Sequence, residues 1–203
     1  MRNVVPITIA FILWFIMFSP LTKEHVDFWY TMCASAVILI TLSFLIRKNW
    51  RIDFKFNFRY LFLGLISSVV LWWIFYFGDL LSSLLFNFVK SQITSIYSIK
   101  AEANSTYISI ALAFLIGPAE EIFWRGLIQN NLSKKFNKNI GFLLATTMYT
   151  MVHVASLNFM LIMASLICGL FWGFLYRRHK NLWMLIISHS IWDCAVFIWF
   201  PIN

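Results

Sequence analysis

The chain of 203 residues is too apolar for a soluble globular domain: 61% of its residues are hydrophobic, 12% are charged and its mean hydropathy is +0.79. Soluble domains are nearer half apolar and a quarter charged. A net charge of +8 would favour nucleic-acid binding in a soluble protein, but here the basic residues lie mostly in short links between apolar runs. We therefore expect an all-α, polytopic membrane helix bundle in the lipid bilayer, and no nucleic-acid partner.

Three apolar runs in the first half of the chain predict transmembrane helices, at residues 4–20, 28–46 and 60–88. A helix that crosses the hydrocarbon core takes about 17 to 25 residues, so each run is long enough. The link over residues 47–59 holds five basic residues among alternating apolar ones, and we expect it at the membrane interface. Residues 90–105 are polar and predict no span.

Four more apolar runs follow, at residues 106–132, 140–155, 159–176 and 182–202. They bring the predicted number of spans to about seven. Six or eight are the alternatives, because the third run is long enough to be divided differently. No linker or low-complexity tract separates the runs, so we expect a single domain over residues 1–203.

The basic residues predict the orientation of these spans, because cytoplasmic links carry an excess of Lys and Arg. With seven spans, the N-terminus and the second, fourth and sixth links share one side. That side holds twelve of the 16 basic residues: Arg2, Arg47, Lys48, Arg51, Lys55, Arg59, Lys134, Lys135, Lys138, Arg177, Arg178 and Lys180. The sequence therefore predicts a cytoplasmic N-terminus.

A polar motif interrupts the fourth predicted span at residues 117–129, with the sequence GPAEEIFWRGLIQ. A charged side chain at the centre of a membrane helix costs about 2.5–3.5 kcal/mol on insertion scales, so such residues usually face a bundle interior or a cavity and have a function. Glu121 and Arg125 are four residues apart, which favours an ion pair on one helix face. Glu120 lies about 100° round the helix, so we expect it to be free for another role.

Two more pairs place polar side chains on one helix face inside predicted spans: Tyr149 with His153, and His189 with Asp193. Glu120, His153 and Asp193 each lie 13 to 15 residues from a basic turn, which is about 20 Å along a helix. Singly, each residue is better explained as a structural polar group, and Tyr149 as packing. The coincidence of Glu120, His153, His189 and Asp193 predicts a common site in the cytoplasmic half or at the midplane.

These residue types suit the hydrolysis of an amide by an activated water. Glu120 in a low-dielectric site can act as the general base, and His153 can share the same water. His189 can donate to an oxyanion, with Asp193 one turn away to hold its tautomer. No Ser or Cys combines with a His and an acid as a preferred nucleophile.

The same four side chains, Glu120, His153, His189 and Asp193, are an alternative zinc site. Imidazole and carboxylate ligands suit zinc, and a zinc-bound water is a good nucleophile. The H-E-x-x-H motif of helical zinc sites is not present in the sequence. We therefore expect no cofactor, with zinc as the alternative.

The ordered set of motifs resembles the CPBP (Abi) family of intramembrane proteases, which includes the type II CAAX prenyl endopeptidases. The family pattern is E-E-x-x-x-R, then an aromatic residue followed by x-x-x-H, then H-x-x-x-N or a close variant. Residues 120–125, 149–153 and 189–193 are similar to it, and so is the flanking stretch GFLYRR at residues 173–178. The resemblance covers residues 116–193 and leaves the first hundred residues undiagnosed.

The resemblance implies four catalytic residues, Glu120, His153, His189 and Asp193, with Glu121 and Arg125 bracing the fold or meeting the substrate. Glu120 and His153 would activate the water, while His189 and Asp193 would form or support the oxyanion site. Asp193 stands where many members have Asn, and an ionised Asp cannot donate to an oxyanion. It must therefore be protonated, orient His189 or bind a cation.

The resemblance also implies an intramembrane endopeptidase that acts on a membrane-anchored protein or peptide, with its motif-bearing core at about residues 106–200. The composition, rich in Lys, Asn, Ile and Phe, suggests a bacterial plasma membrane. Two alternatives come from other functional classes. A proton- or ion-coupled carrier also buries Glu, His and Asp, although carriers often show internal repeats that we do not find here. A non-catalytic immunity or assembly factor would tolerate lost motif positions, whereas all are filled.

Overall fold

The computed structural model describes residues 4–99 and 103–202, and in these residues the regular structure is entirely helical. We number the longer helices in chain order: α1 (Val4–Phe18), α2 (Phe28–Ile46), α3 (Phe58–Leu85), α4 (Val89–Ser98), α5 (Ser105–Lys135), α6 (Lys138–Met151), α7 (Phe159–His179) and α8 (Leu182–Trp199). The prediction of an all-α polytopic bundle is confirmed. Arg2 and Lys100, which enter the charge count, lie outside the described residues.

Five of these helices, α2, α3, α5, α7 and α8, are long and apolar enough to cross a membrane, and α1 is a shorter apolar helix. Each of the seven predicted runs contains a helix, but the fifth differs from its prediction. Helix α6 has only 14 residues, about 21 Å, which is less than the roughly 30 Å of a hydrocarbon core. The helix ends at Met151. A 3₁₀ turn, Val154–Ser156, and a left-handed Leu157 (φ 53°) follow it. His153 therefore lies in a turn and not within a helix.

Helices α5 and α8 form the interior of the bundle. In the apolar windows that qualify them as spans, 56% of the residues are buried in both, against 22% in α3. Helix α3 packs along α8, where a Cβ atom on Gly64 would lie 2.8 Å from the Met184 carbonyl oxygen. The two innermost helices are those that carry the acidic motif and the His189–Asp193 pair, so the fold shields these polar groups from lipid.

Helix α5 departs from α-helical geometry at Leu112–Ile116 and at Glu121–Gln129, where it forms π-helix. The Asn130 N–H, for example, donates to the Arg125 carbonyl five residues back. Pro118 explains the first stretch, because proline has no N–H to donate and its ring clashes with the carbonyl four residues earlier. The second stretch contains most of the acidic motif. Such wide turns are rare and frequently occur at functional sites.

Two glycines bring α6 and α7 into close contact. A Cβ atom on Gly173 would lie 2.9 Å from the Phe142 ring, and one on Gly169 would lie 3.1 Å from Thr146 and 3.2 Å from Tyr149. The Thr146 hydroxyl donates to the Gly169 carbonyl at 3.1 Å. Small residues spaced four apart are a common means of close helix packing in membranes. This contact fixes the position of Tyr149.

A buried polar cluster, which we call the Arg47 network, joins the first half of the chain to α5 and α7. Arg47 and Asp53 form an ion pair, and a second Arg47 N–H group donates to the Gly126 carbonyl at 2.6 Å. The Tyr176 hydroxyl donates to Asp53 at 2.6 Å. The link over residues 47–57 is therefore only partly interfacial, because Asp53 is fully buried.

Candidate active site

One cavity of about 480 Å³ is lined by residues of all eight helices, and Glu120, His153, His189 and Asp193 all lie on its wall. None of the four is more than 7% exposed. Most other lining residues are apolar. The structure therefore brings the four predicted residues to a single buried place.

Glu120 lies on α5 with its carboxylate held by Tyr149. The Tyr149 hydroxyl donates to Glu120 Oε2 at 2.9 Å, and the Arg125 guanidinium lies over the Tyr149 ring, 4.6 Å from its centroid. Tyr149 is thus a hydrogen-bond donor as well as a packing residue, which the sequence did not lead us to expect. One carboxylate oxygen is engaged in this way, and the other can take part in proton transfer with a water.

His153 has partners for both ring nitrogens. Nδ1 lies 2.8 Å from the Tyr149 carbonyl oxygen, and Nε2 lies 3.1 Å from Trp14 Nε1. A carbonyl can only accept and an indole N–H can only donate. The imidazole is therefore assigned as neutral, with its proton on Nδ1 and its lone pair on Nε2 facing Trp14. Trp14 belongs to α1 and was not among the predicted site residues.

Glu121 binds two partners through the same carboxylate oxygen, an arginine on its own helix and a histidine on α8. Arg125 Nη1 donates to Glu121 Oε1 at 2.7 Å, which confirms the predicted ion pair. His189 Nδ1 lies at the same distance from the same oxygen, so the ring donates to it. Arg125 also reaches the Cys168 carbonyl at 3.4 Å. Glu121 and Arg125 do not line the cavity. Glu121 binds the His189 nitrogen that faces away from Asp193, and Arg125 pairs with Glu121.

The plane and the second nitrogen of His189 are set by two other residues. The Trp172 ring stacks on the imidazole with centroids 3.8 Å apart and planes inclined by 20°. His189 Nε2 lies 3.4 Å from Asp193 Oδ2, longer than a typical N–H···O bond of about 2.7–3.2 Å. Because the Nδ1 proton is donated to Glu121, a neutral His189 would turn the lone pair of Nε2 towards the Asp193 oxygen, and the two would repel each other. A proton between Nε2 and Asp193 makes this contact attractive. The pair can therefore present a loosely held N–H donor to the cavity.

These contacts bear on the zinc alternative. A zinc-binding histidine needs a ring nitrogen with a free lone pair. In this structure the lone pair of His153 Nε2 accepts from the Trp14 indole, and both nitrogens of His189 face acids. Among the described residues, no three His, Cys, Asp or Glu side chains are grouped so that they could hold a metal ion. The residues in this arrangement do not fit a zinc site.

One comparison with known proteins gave a match. Residues 102–195 match the model of a family described as type II CAAX prenyl endopeptidase Rce1-like. This segment contains α5 to α7 and most of α8, with all four predicted catalytic residues. No curated protein and no solved structure matches the chain.

Proposed function

We propose that this chain, in which residues 102–195 match the Rce1-like family model of type II CAAX prenyl endopeptidases, hydrolyses a peptide bond of a membrane-anchored protein or peptide inside its apolar cavity. The match to the family model supports proteolysis, and the apolar helices support an integral membrane location. The observation that carries the proposal is the buried Glu120 carboxylate, which shares an apolar cavity with the donor side of His189. The proposed location is the plasma membrane of a bacterium.

In the proposed reaction Glu120 is the general base. It takes a proton from a water as the water oxygen forms a bond to the scissile carbonyl carbon, and Tyr149 steadies the carboxylate meanwhile. The carbonyl oxygen becomes an oxyanion, which accepts the N–H of His189 Nε2. When the intermediate collapses, the C–N bond breaks and Glu120 returns the proton to the leaving amine. No metal takes part.

Asp193 and His153 have supporting roles in this reaction. Asp193 keeps a proton available at His189 Nε2. An ionised Asp cannot itself donate to the oxyanion, and this indirect role explains why an acid can occupy the position. His153 is neutral and fixed by Tyr149. It shares the attacking water with Glu120 when the Trp14 indole moves from Nε2.

The test is cleavage of a pooled library of membrane-anchored peptides by the purified protein in detergent, after metal chelation. Glu120→Gln keeps the size of the side chain and an oxygen for Tyr149 but removes the base. We expect it to lower kcat by about 10²–10⁴-fold. Glu24→Gln, which removes an exposed acid outside the cavity, is the matched control and should retain activity.

Each alternative has its own outcome. Cleavage that is lost on chelation and restored by zinc would replace the glutamate mechanism by a metallopeptidase one. Equal cleavage by wild type and Glu120→Gln would refute Glu120 as the base. Ion-dependent transport by proteoliposomes, without cleavage, would favour the carrier, and a cellular phenotype that survives Glu120→Gln would favour a non-catalytic immunity or assembly factor.

A further inference from the structure

The cavity has a buried end and an exposed end. At the buried end Glu120 and His189 are 6% and 3% exposed, whereas Phe86 and Phe159, which line the other end, are both 48% exposed. Phe86 directly follows α3, and Phe159 is the first residue of α7. The opening therefore lies at the ends of these helices that are remote from the basic links, with α4 beside it. A substrate segment that reaches Glu120 from this opening must pass the wall of α3.

Asp79 projects from that wall. Among the described residues that line the cavity, it is the one Asp, Glu, Lys, Arg or His besides the four predicted catalytic residues. Phe75, Gly78 and Ser82 also line the cavity, and their spacing from Asp79 shows that one face of α3 is turned inward. The Asp79 side chain is only 13% exposed.

The Asp79 carboxylate already binds an ammonium group. Lys90 Nζ of α4 lies 3.1 Å from Asp79 Oδ2, and the Ser83 hydroxyl donates to Oδ1 at 3.3 Å. The Lys90 side chain is 56% exposed, and ion pairs with an exposed partner contribute little to stability. A cationic group of a substrate can therefore take the place of Lys90, with the same acceptor geometry.

We propose that Asp79 is a subsite for an ammonium or guanidinium group, so that the preferred substrate of this chain is an apolar peptide segment with a Lys or Arg beside the scissile region. Cleavage of such a segment rests on the proposed function, whereas its binding does not. Charge complementarity selects the occupant, because the described lining contains acids and no Lys or Arg. An acidic group at the same place would meet a carboxylate.

The distance from Asp79 to the proposed catalytic residues can be estimated along α3. Phe75 packs on Trp192, the neighbour of Asp193, with ring centroids 4.7 Å apart. Asp79 is one helical turn further on, about 6 Å. An extended peptide covers that rise with about two residues. The cation is therefore expected within a few residues of the scissile bond, on the side that leads to the opening.

The experiment uses an apolar peptide that carries a single lysine, moved residue by residue along the chain, and a matched set with glutamine. Binding is measured by fluorescence anisotropy with the Glu120→Gln protein in detergent, and cleavage with the wild type. We expect the lysine peptide to be preferred by about 5- to 10-fold at one or two positions. Asp79→Asn should abolish the preference, and Lys90→Gln, which removes the competing ammonium, should increase it. Glu24→Gln should leave it unchanged.

The outcomes separate this inference from the proposed function. A lysine preference in binding that depends on Asp79, without cleavage of any peptide, would uphold the subsite and count against the protease. Cleavage with equal use of lysine and glutamine peptides by wild type and Asp79→Asn would overturn the subsite and leave the protease intact. Thermal unfolding of Asp79→Asn shows whether the variant is folded, and Lys90→Gln tests the same subsite without altering Asp79.

Discussion

The two halves of the chain contribute to the cavity in different ways. The second half, within the segment that matches the family model, supplies the groups proposed to act on the substrate, and they are joined through Glu121, Arg125 and Tyr149. The first half lines much of the cavity with apolar side chains, and its polar groups lie at separate points, among them the indole of Trp14, the Arg47 network and the carboxylate of Asp79. All motif residues thus lie in one half, whereas the other half supplies a buried ion pair, one wall of the cavity and the hydrogen-bond donor to His153.

The largest effect should come from breaking the Arg47 network, which belongs to the first half. Arg47→Met leaves Asp53 buried without its cation, and removal of one partner of a buried ion pair typically costs about 3–5 kcal/mol. We expect the free energy of unfolding, measured by denaturant titration in detergent, to fall by that amount. The kcat/KM of the folded fraction should stay within about twofold of the wild type.

Two controls belong to this prediction. Arg51→Met removes an exposed charge from the same link and should leave the free energy of unfolding nearly unchanged. The double variant Arg47→Met, Asp53→Asn removes both charges and should recover part of the loss. A kcat/KM that falls as steeply as stability would show that this network acts on the reaction itself.

His189→Ala tests the opposite behaviour in the second half. Loss of a donor to the oxyanion typically lowers kcat by about 10²–10³-fold, and Glu121 keeps Arg125 as its partner. We expect that fall in kcat with KM little changed, measured by initial rates over a range of peptide concentrations. His25→Ala, at an exposed histidine outside the cavity, is the control. Unchanged kcat in His189→Ala would remove this residue from the reaction.

The smallest effect is expected at Trp14 and has the opposite sign. Trp14→Phe keeps an aromatic ring but removes the N–H that occupies His153 Nε2. Since a hydrogen bond of this kind is worth about 0.5–1.5 kcal/mol, its loss should raise kcat by roughly 2- to 10-fold. The control is Trp73→Phe, at a tryptophan on α3 that is 48% exposed. A lower kcat in Trp14→Phe would mean that the indole positions His153 for the reaction and does not block it.

Local patterns predicted the helices well, because a run of apolar residues long enough for a bilayer has few other solutions. They also predicted the Glu121–Arg125 pair, since its partners are four residues apart on one helix. The end of α6 at Met151 was not predicted. The apolar residues of this run continue to residue 155, beyond the end of the helix. The turn after the helix contains a left-handed Leu157, and leucine is not a residue type that predicts this conformation.

The contacts that specify the site were beyond local patterns, because their partners are far apart in the chain. Trp14 is 139 residues from His153, and Glu121 is 68 residues from His189. In each case the hydrogen bond can be recognised only after the helices have been packed together. A tryptophan in an apolar run fits lipid contact as well as it fits a hydrogen bond to a histidine. Tyr149 was the exception, since its place in the motif beside His153 could have suggested a polar role.

The distance along the chain between Trp14 and His153 has a consequence for biogenesis. A membrane protein is synthesised from its N-terminus, so α1 is made long before the turn that carries His153, and α8, with His189 and Asp193, is made last of the helices described. The indole cannot engage the imidazole until the turn with His153 has been made, and the cavity cannot close until α8 has followed it. A nascent chain that lacks α8 therefore lacks the complete proposed site, and it could not attack other proteins at the place of membrane insertion.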